Sequence, residues 1–148
     1  MNKTRRDIVI GGIGLAVALR APAADGTTGD LATAIKTHTG GAAVREGRVK
    51  LEIDTLVENG NAVPLVVDVE SPMSASDHVK SIAVFNERNP QREVINVALG
   101  PRSGRSRIGT RVRLATSQRL VAIAQMNDGS FWSGGVDVIV TLAGCVES

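Results

Sequence analysis

Few residues in this 148-residue sequence have side chains suited to nucleophilic, redox or metal chemistry. There is one cysteine, Cys145, together with two histidines, His38 and His78, and three methionines. Cys145 stands in the closing stretch TLAGCVES, with three residues after it. A packing cysteine belongs in a core, where its small apolar side chain is buried. A cysteine near an outgoing end packs against little but can reach into another molecule. A Cys-His-Asp hydrolase would need its thiol on rigid structure beside a base, and this position is wrong for that. No spacing such as Cys-x-x-Cys or His-x-x-x-His makes a metal site of Cys145, His38 and His78. No metal is therefore expected, and both histidines are expected at the surface. Met1, Met73 and Met126 form no methionine-rich motif, and Met126 at a strand end is expected in the core.

The thiolate is the reactive form, and an unperturbed thiol ionises only near about pH 8.5. No lysine, arginine or histidine adjoins Cys145 in sequence, and Glu147 disfavours the thiolate. An ordinary thiol is expected, activated in another protein's pocket. The expected arm comprises residues 143–148, with Ala143 and Gly144 before the thiol and Val146 and Glu147 after it. The three residues from the last strand allow an excursion of roughly 10 Å at about 3.3 Å each.

The first 23 residues, MNKTRRDIVIGGIGLAVALRAPA, have the layout of an export signal. A charged start leads to a 12-residue apolar run from Ile8 to Leu19, then a small-residue Ala-x-Ala exit. That run is too short to span a bilayer. Arg5 and Arg6 directly before it form the pair that marks twin-arginine (Tat) export. An exported, periplasmic protein that travels folded is expected. Residues 1–23 hold four of the 17 basic side chains and one of the 15 acidic ones, leaving 13 against 14 and a formal charge of −1. No clustered positive face suggests nucleic acid. The short basic cluster RSGRSR at 102–107, followed by Arg111 and Arg113, reads as a solvated turn and strand edge. Its sharper reading is a docking patch for an acidic partner or an anionic substrate. In an oxidising compartment an odd cysteine points to an intermolecular bond or a reactive free thiol.

A scaffold must position that thiol. The pattern from Asp30 to Thr39 predicts a short helix capped by Asp30, with Leu31, Ala34 and Ile35 on one face and Gly40-Gly41 as its stop. Residues 24–47 are expected as an N-terminal helical appendage. From 48 the period becomes alternating, predicting strands at 48–54, 63–70, 79–86, 92–99, 107–114, 119–126 and 131–142. ENGN, SPMSAS, NERNPQ, GPRSG, ATSQ and NDGS separate them as turns or loops. About seven short strands over 48–142 predict an all-β, immunoglobulin-like β-sandwich. Phe131 and Trp132 suit the core or a subunit interface, Trp132 rather the interface.

Two long runs carry a family resemblance, LVENGNAVPLVVDVESPMSASDHVKSIAVFNERNPQREV at 56–94 and TRVRLATSQRLVAIAQMNDGSFWSGGVDVIVTLAGC at 110–145. With their VENG…VPL, SPM, F…NP, TR.RLA.SQ and DGSFW signatures and the closing cysteine, they resemble SoxY, the sulfur-carrier family of thiosulfate oxidation. The resemblance implies an immunoglobulin-like subunit paired with a SoxZ β-sandwich. Sulfur intermediates would ride on the terminal cysteine, here Cys145, as an S-thiosulfonate or persulfide. It also implies partners: a c-type cytochrome that joins thiosulfate to the thiol, a dimanganese hydrolase that releases sulfate, and a molybdenum–haem sulfane dehydrogenase. The carrier binds no cofactor of its own and catalyses none of these steps. Family members typically finish Gly-Gly-Cys-Gly-Gly, whereas here Val146 and Glu147 follow the cysteine, stiffening the arm and adding charge. The alternative is a non-covalent immunoglobulin-like binding or assembly subunit, its tail thiol incidental or forming an intermolecular disulfide.

Overall fold

The computed structural model describes residues 28–142. The expected export signal and the expected arm, residues 143–148, lie outside them. Helix α1 (Thr28–Thr39) is followed by β1 (Val44–Glu46), β2 (Val49–Glu52), β3 (Leu56–Asn59), β4 (Val63–Val69) and β5 (Val79–Asn86). Then come β6 (Glu93–Ala98), β7 (Arg107–Val112), β8 (Gln118–Met126) and β9 (Phe131–Leu142). The larger sheet runs β1-β9-β8-β5-β6, with β3 also paired to β9, and the smaller runs β2-β4-β7. The chain is thus an all-β sandwich with one short helix.

Side-chain alternation explains how the sheets meet. In β4, Val63, Leu65, Val67 and Val69 are buried while Pro64, Val66 and Asp68 point outward. They interlock with Ile82, Val84, Leu120, Ala122, Ala124, Met126 and Val138 of the larger sheet. In β5 and β8 the alternation fades, because both faces are covered. Ala83, Phe85, Ile123 and Phe131 form a second cluster under Leu31, Ala34 and Ile35 of α1. The helix is therefore docked on the sheet. It ends where expected, since Gly40 and Gly41 both take positive φ and the Gly41 N–H donates to Lys36 O at 2.9 Å, a helix-closing bond that left-handed glycines allow.

Seven strands are predicted from the sequence, and nine form among the described residues. β1 and β3 span three and four residues, too few to display alternation. Both pair parallel to β9, so their pairing depends on a strand some eighty residues away. Residues 44–46, expected within a helical appendage, belong to the larger sheet.

At Gly134 β2 crosses so closely over β9 that a Cβ would collide with the Val49 carbonyl oxygen. Backbone cannot retreat as a flexible side chain can. Gly134→Ala is expected to destabilise the domain by about 1–3 kcal/mol through overpacking. Gly100→Ala, with nothing near its added methyl, should stay within about 0.5 kcal/mol. Urea unfolding of both variants checks the pair.

Candidate functional site

The site of interest is where β9 releases the chain toward Cys145. β8 pairs with β9 only as far as Gln118↔Val138, so residues 139–142 project past it. A protruding strand end would fray unless its backbone found other partners. Here β3 supplies them, with Leu56↔Ile139, Val57↔Val140 and Asn59↔Leu142 in parallel register. The Ile139 N–H donates to Thr55 O at 2.8 Å, and the Gly60 N–H donates to Leu142 O at 3.1 Å. Facing β8, the Val140 N–H donates to Ser117 Oγ at 2.9 Å. Thr141 Oγ1 donates to Glu58 O at 3.2 Å. The last described residue of the strand is thus tied down.

Short polar stretches that read as punctuation in the sequence do this bracing. In ENGN, Asn59 Oδ1 accepts the Asn61 N–H at 2.9 Å, closing the turn that presents Gly60. In NERNPQ, Asn89 is nearly buried and acts as a hub. Its Oδ1 accepts from the Ala115 N–H at 3.0 Å and Gln118 Nε2 at 2.8 Å, while its Nδ2 donates to Arg113 O at 2.6 Å. Gln118 Oε1 in turn accepts the Arg88 N–H at 2.9 Å. Asn89 capturing the backbone of 113 and 115 explains why β7 stops at Val112 rather than at the predicted 114. The sequence reading missed Ser117, Asn89 and Gln118. Their signal was an amide or hydroxyl inside a loop pattern, which turn propensity alone already explained.

Leu56, Ile139 and Leu142 are the exposed large hydrophobics among the described residues, at 62%, 59% and 65%. All three gather at this root. Beside it, the Gly60 carbonyl accepts the Leu114 N–H at 2.7 Å, bringing the end of β7 close to Leu142. At the end of β7 a cleft of about 400 Å³ opens between Asn89, Pro90, Gln91 and Val94 on one side and Arg111, Val112 and Arg113 on the other.

The other candidates lie elsewhere. His38, expected at the surface, is only 16% exposed. It sits edge-on to Phe85 at 5.3 Å, with Nδ1 3.3 Å from Glu93 Oε2, so it anchors α1. His78 is half-buried, its Nδ1 3.0 Å from Ser74 O. No group of three or more metal-capable side chains occurs among the described residues. Met126 is buried in the core as expected. Trp132 packs against the core, with Arg45 and Arg48 guanidinium groups each 5.6 Å from its ring centroid. Its indole N–H donates to Ser130 Oγ at 3.2 Å. Asp128 holds that corner: hydrogen bonds from the Ser130 hydroxyl and N–H lower its pKa. On the small sheet Arg107 bridges Asp68 at 2.7 Å and Glu52 at 2.9 Å, and its hydrogen bond holds the Glu52 carboxyl below its ordinary pKa. RSGRSR forms a turn leading into β7.

Asn89→Ala would strand the Ala115 N–H, the Gln118 amide and the Arg113 carbonyl near the root. About 2–3 kcal/mol of stability should be lost, as for buried polar groups left unpaired. Urea unfolding reads the loss, and a change below about 0.5 kcal/mol, the range of ordinary surface substitutions, would deny Asn89 the hub role.

Comparisons with known proteins agree with this architecture. The structure of the sulfur carrier protein SoxY from Chlorobium limicola f thiosulfatophilum matches with a TM-score of 0.66 and 24% identity, over 77% of this chain and 98% of that one. A superoxide reductase (neelaredoxin) from Ignicoccus hospitalis matches at TM-score 0.55 and 20% identity, over 64% and 80% of the two chains. A superoxide reductase from Nanoarchaeum equitans matches at 0.55 and 12%, over 65% and 100%. At these identities the likenesses concern the fold. No curated protein matches the chain significantly. No helix among the described residues is long and apolar enough to cross a membrane. The family described as "Sulfur oxidation protein SoxY" matches residues 35–145, a span that includes all of β1 to β9 and ends on the cysteine; the chain belongs to the SoxY family, sulfur carriers of the sulfur-oxidation system rather than enzymes.

Proposed function

We propose that this chain is an exported, periplasmic carrier that holds sulfur intermediates covalently on Cys145 while partner proteins oxidise or hydrolyse them. The observation that carries the reading is positional. The family match extends to Cys145, three residues beyond a strand end whose backbone is braced by β3, Gly60 and Ser117. A fixed root and a short lead of roughly 10 Å suit a thiol that must enter a partner's cleft while the sandwich stays outside.

The chemistry asks little of the carrier beyond presentation. In loading, the Cys145 thiolate and the sulfane sulfur of thiosulfate form an S–S bond, and two electrons leave to a c-type cytochrome. The product is an S-thiosulfonate. Water then attacks the terminal sulfonate sulfur in the hydrolase, releasing sulfate and a proton and leaving a persulfide on Cys145. A sulfane dehydrogenase would oxidise that remaining sulfur. The partners supply the oxidant, the metal and the general bases. A SoxZ-like β-sandwich is the expected companion subunit, and the three exposed hydrophobics at the root support a partner seated beside the arm.

The tail departs from the glycine-flanked pattern. Val146 restricts the backbone and Glu147 adds a negative charge, so the partner's channel must tolerate a β-branched residue and an acid directly after the sulfur. This favours partners adapted to this chain over interchangeable ones.

Cys145→Ser removes the sulfur atom and little else. Its folding free energy should remain within about 0.5 kcal/mol of wild type, with heterodimer formation intact. Sulfur-dependent turnover with the partner enzymes should vanish. Turnover retained by a folded Cys145→Ser protein would refute covalent carriage.

A further inference from the structure

The cleft at the end of β7 has a feature that scaffold duty does not use. Several arginines are committed to acids. Arg107 is held by Asp68 and Glu52, Arg119 by Asp137, and Arg48 by Asp77. Arg111 and Arg113 are exposed and line the cleft, and neither has an ion-pair partner among the described residues. Two guanidinium groups lining one cleft that no acid lines make it attractive to an anion.

The end of β7 that lines this cleft is linked through the backbone to the end of β9. Leu142 is hydrogen-bonded to Gly60, and Gly60 to Leu114, the residue after Arg113. Two such steps of about 5 Å each separate Leu142 from the end of β7. Cys145 follows Leu142 by three residues in sequence, and three extended residues span roughly 10 Å, a length comparable to that separation.

We infer that Arg111 and Arg113 form an anion-receiving cleft for the sulfur group carried on Cys145, a parking place for the charged end of the arm between partners. The inference rests on the carrier reading for its natural occupant. The ligand class is a tetrahedral oxyanion of sulfur, a sulfonate or thiosulfonate, tethered through the thiol. Guanidinium forks suit such oxygens because they offer paired, directed N–H donors. Glu147 on the same tail adds a second negative charge that the pair can hold. Exposed ion pairs are individually weak and screened by salt. The tether compensates by raising the local concentration of the anion. The resulting association is reversible, so a partner enzyme can peel the arm away.

The test needs no sulfur enzymes. The full-length mature protein, reduced, is alkylated at Cys145 with iodoacetate, an anionic reagent, and separately with iodoacetamide, its neutral analogue. At low ionic strength the iodoacetate-to-iodoacetamide rate ratio should fall about threefold or more in R111E/R113E, and the difference should vanish in high salt, as screened attraction requires. R102E/R105E changes the net charge equally at the other end of β7, where Ser106 bonds Val69, and should leave the ratio near wild type. Backbone amide shifts then locate the group. The carboxymethyl form should differ from the carbamidomethyl form around 89–91 and 111–113, and the difference should disappear in R111E/R113E. Equal ratios in the two double variants, or shift differences absent from those residues, would overturn the inference. Loss of turnover in Cys145→Ser speaks to the carrier reading alone, so the two can fail separately.

Discussion

A tethered group delivers its cargo only as accurately as its fixed end is held. In this molecule the end of β9 is held on both edges. β9 extends past β8, and a strand that outruns its neighbour exposes unpaired backbone groups. β3 answers on one edge and Ser117 on the other. The parallel pairing of β3 obliges the chain to leave the larger sheet after β1, lay β2 on the smaller sheet, and return. The close approach of β2 at Gly134 is the steric consequence of that detour.

The polar loops complete the same task. Asn89 and Gln118 knit the 86–92 loop, the end of β7 and the start of β8 into one support, and Asn59 shapes the turn that offers Gly60 to Leu142. At the opposite end, Asp128, Ser130 and the Arg45–Trp132–Arg48 stack fix the start of β9. The signatures VENG, F…NP, TR.RLA.SQ and DGSFW are therefore not decoration on a generic sandwich. They are the joints that hold β9 at its two ends. Because these joints are made from neutral amides and hydroxyls, few of the root's charges are consumed internally, and Arg111 and Arg113 stay available.

How much of this was legible in the sequence depended on the range of the interaction. β4, with its valine and leucine alternation, and the Gly40-Gly41 helix stop are local patterns, and they formed where they were read. β1 and β3 exist only because β9 lies beside them, and three or four residues carry no period to betray that. His38 looked like a surface residue because its partners, Phe85, Phe131 and Glu93, come from distant strands. Trp132, read toward an interface, has guanidinium groups from two arginines of the β1–β2 segment against its ring. Cys145 was the reverse case. Its isolation and its place in the chain suggested a carrier role, whereas the brace beneath the strand that leads to it needed coordinates.

Covalent carriage of sulfur on Cys145 can be read by intact-mass analysis of the protein purified from its native cells during sulfur oxidation. A population bearing thiosulfonate, persulfide or polysulfide that maps to Cys145 and is released by reductant is expected. A uniformly bare thiol under those conditions would contradict it.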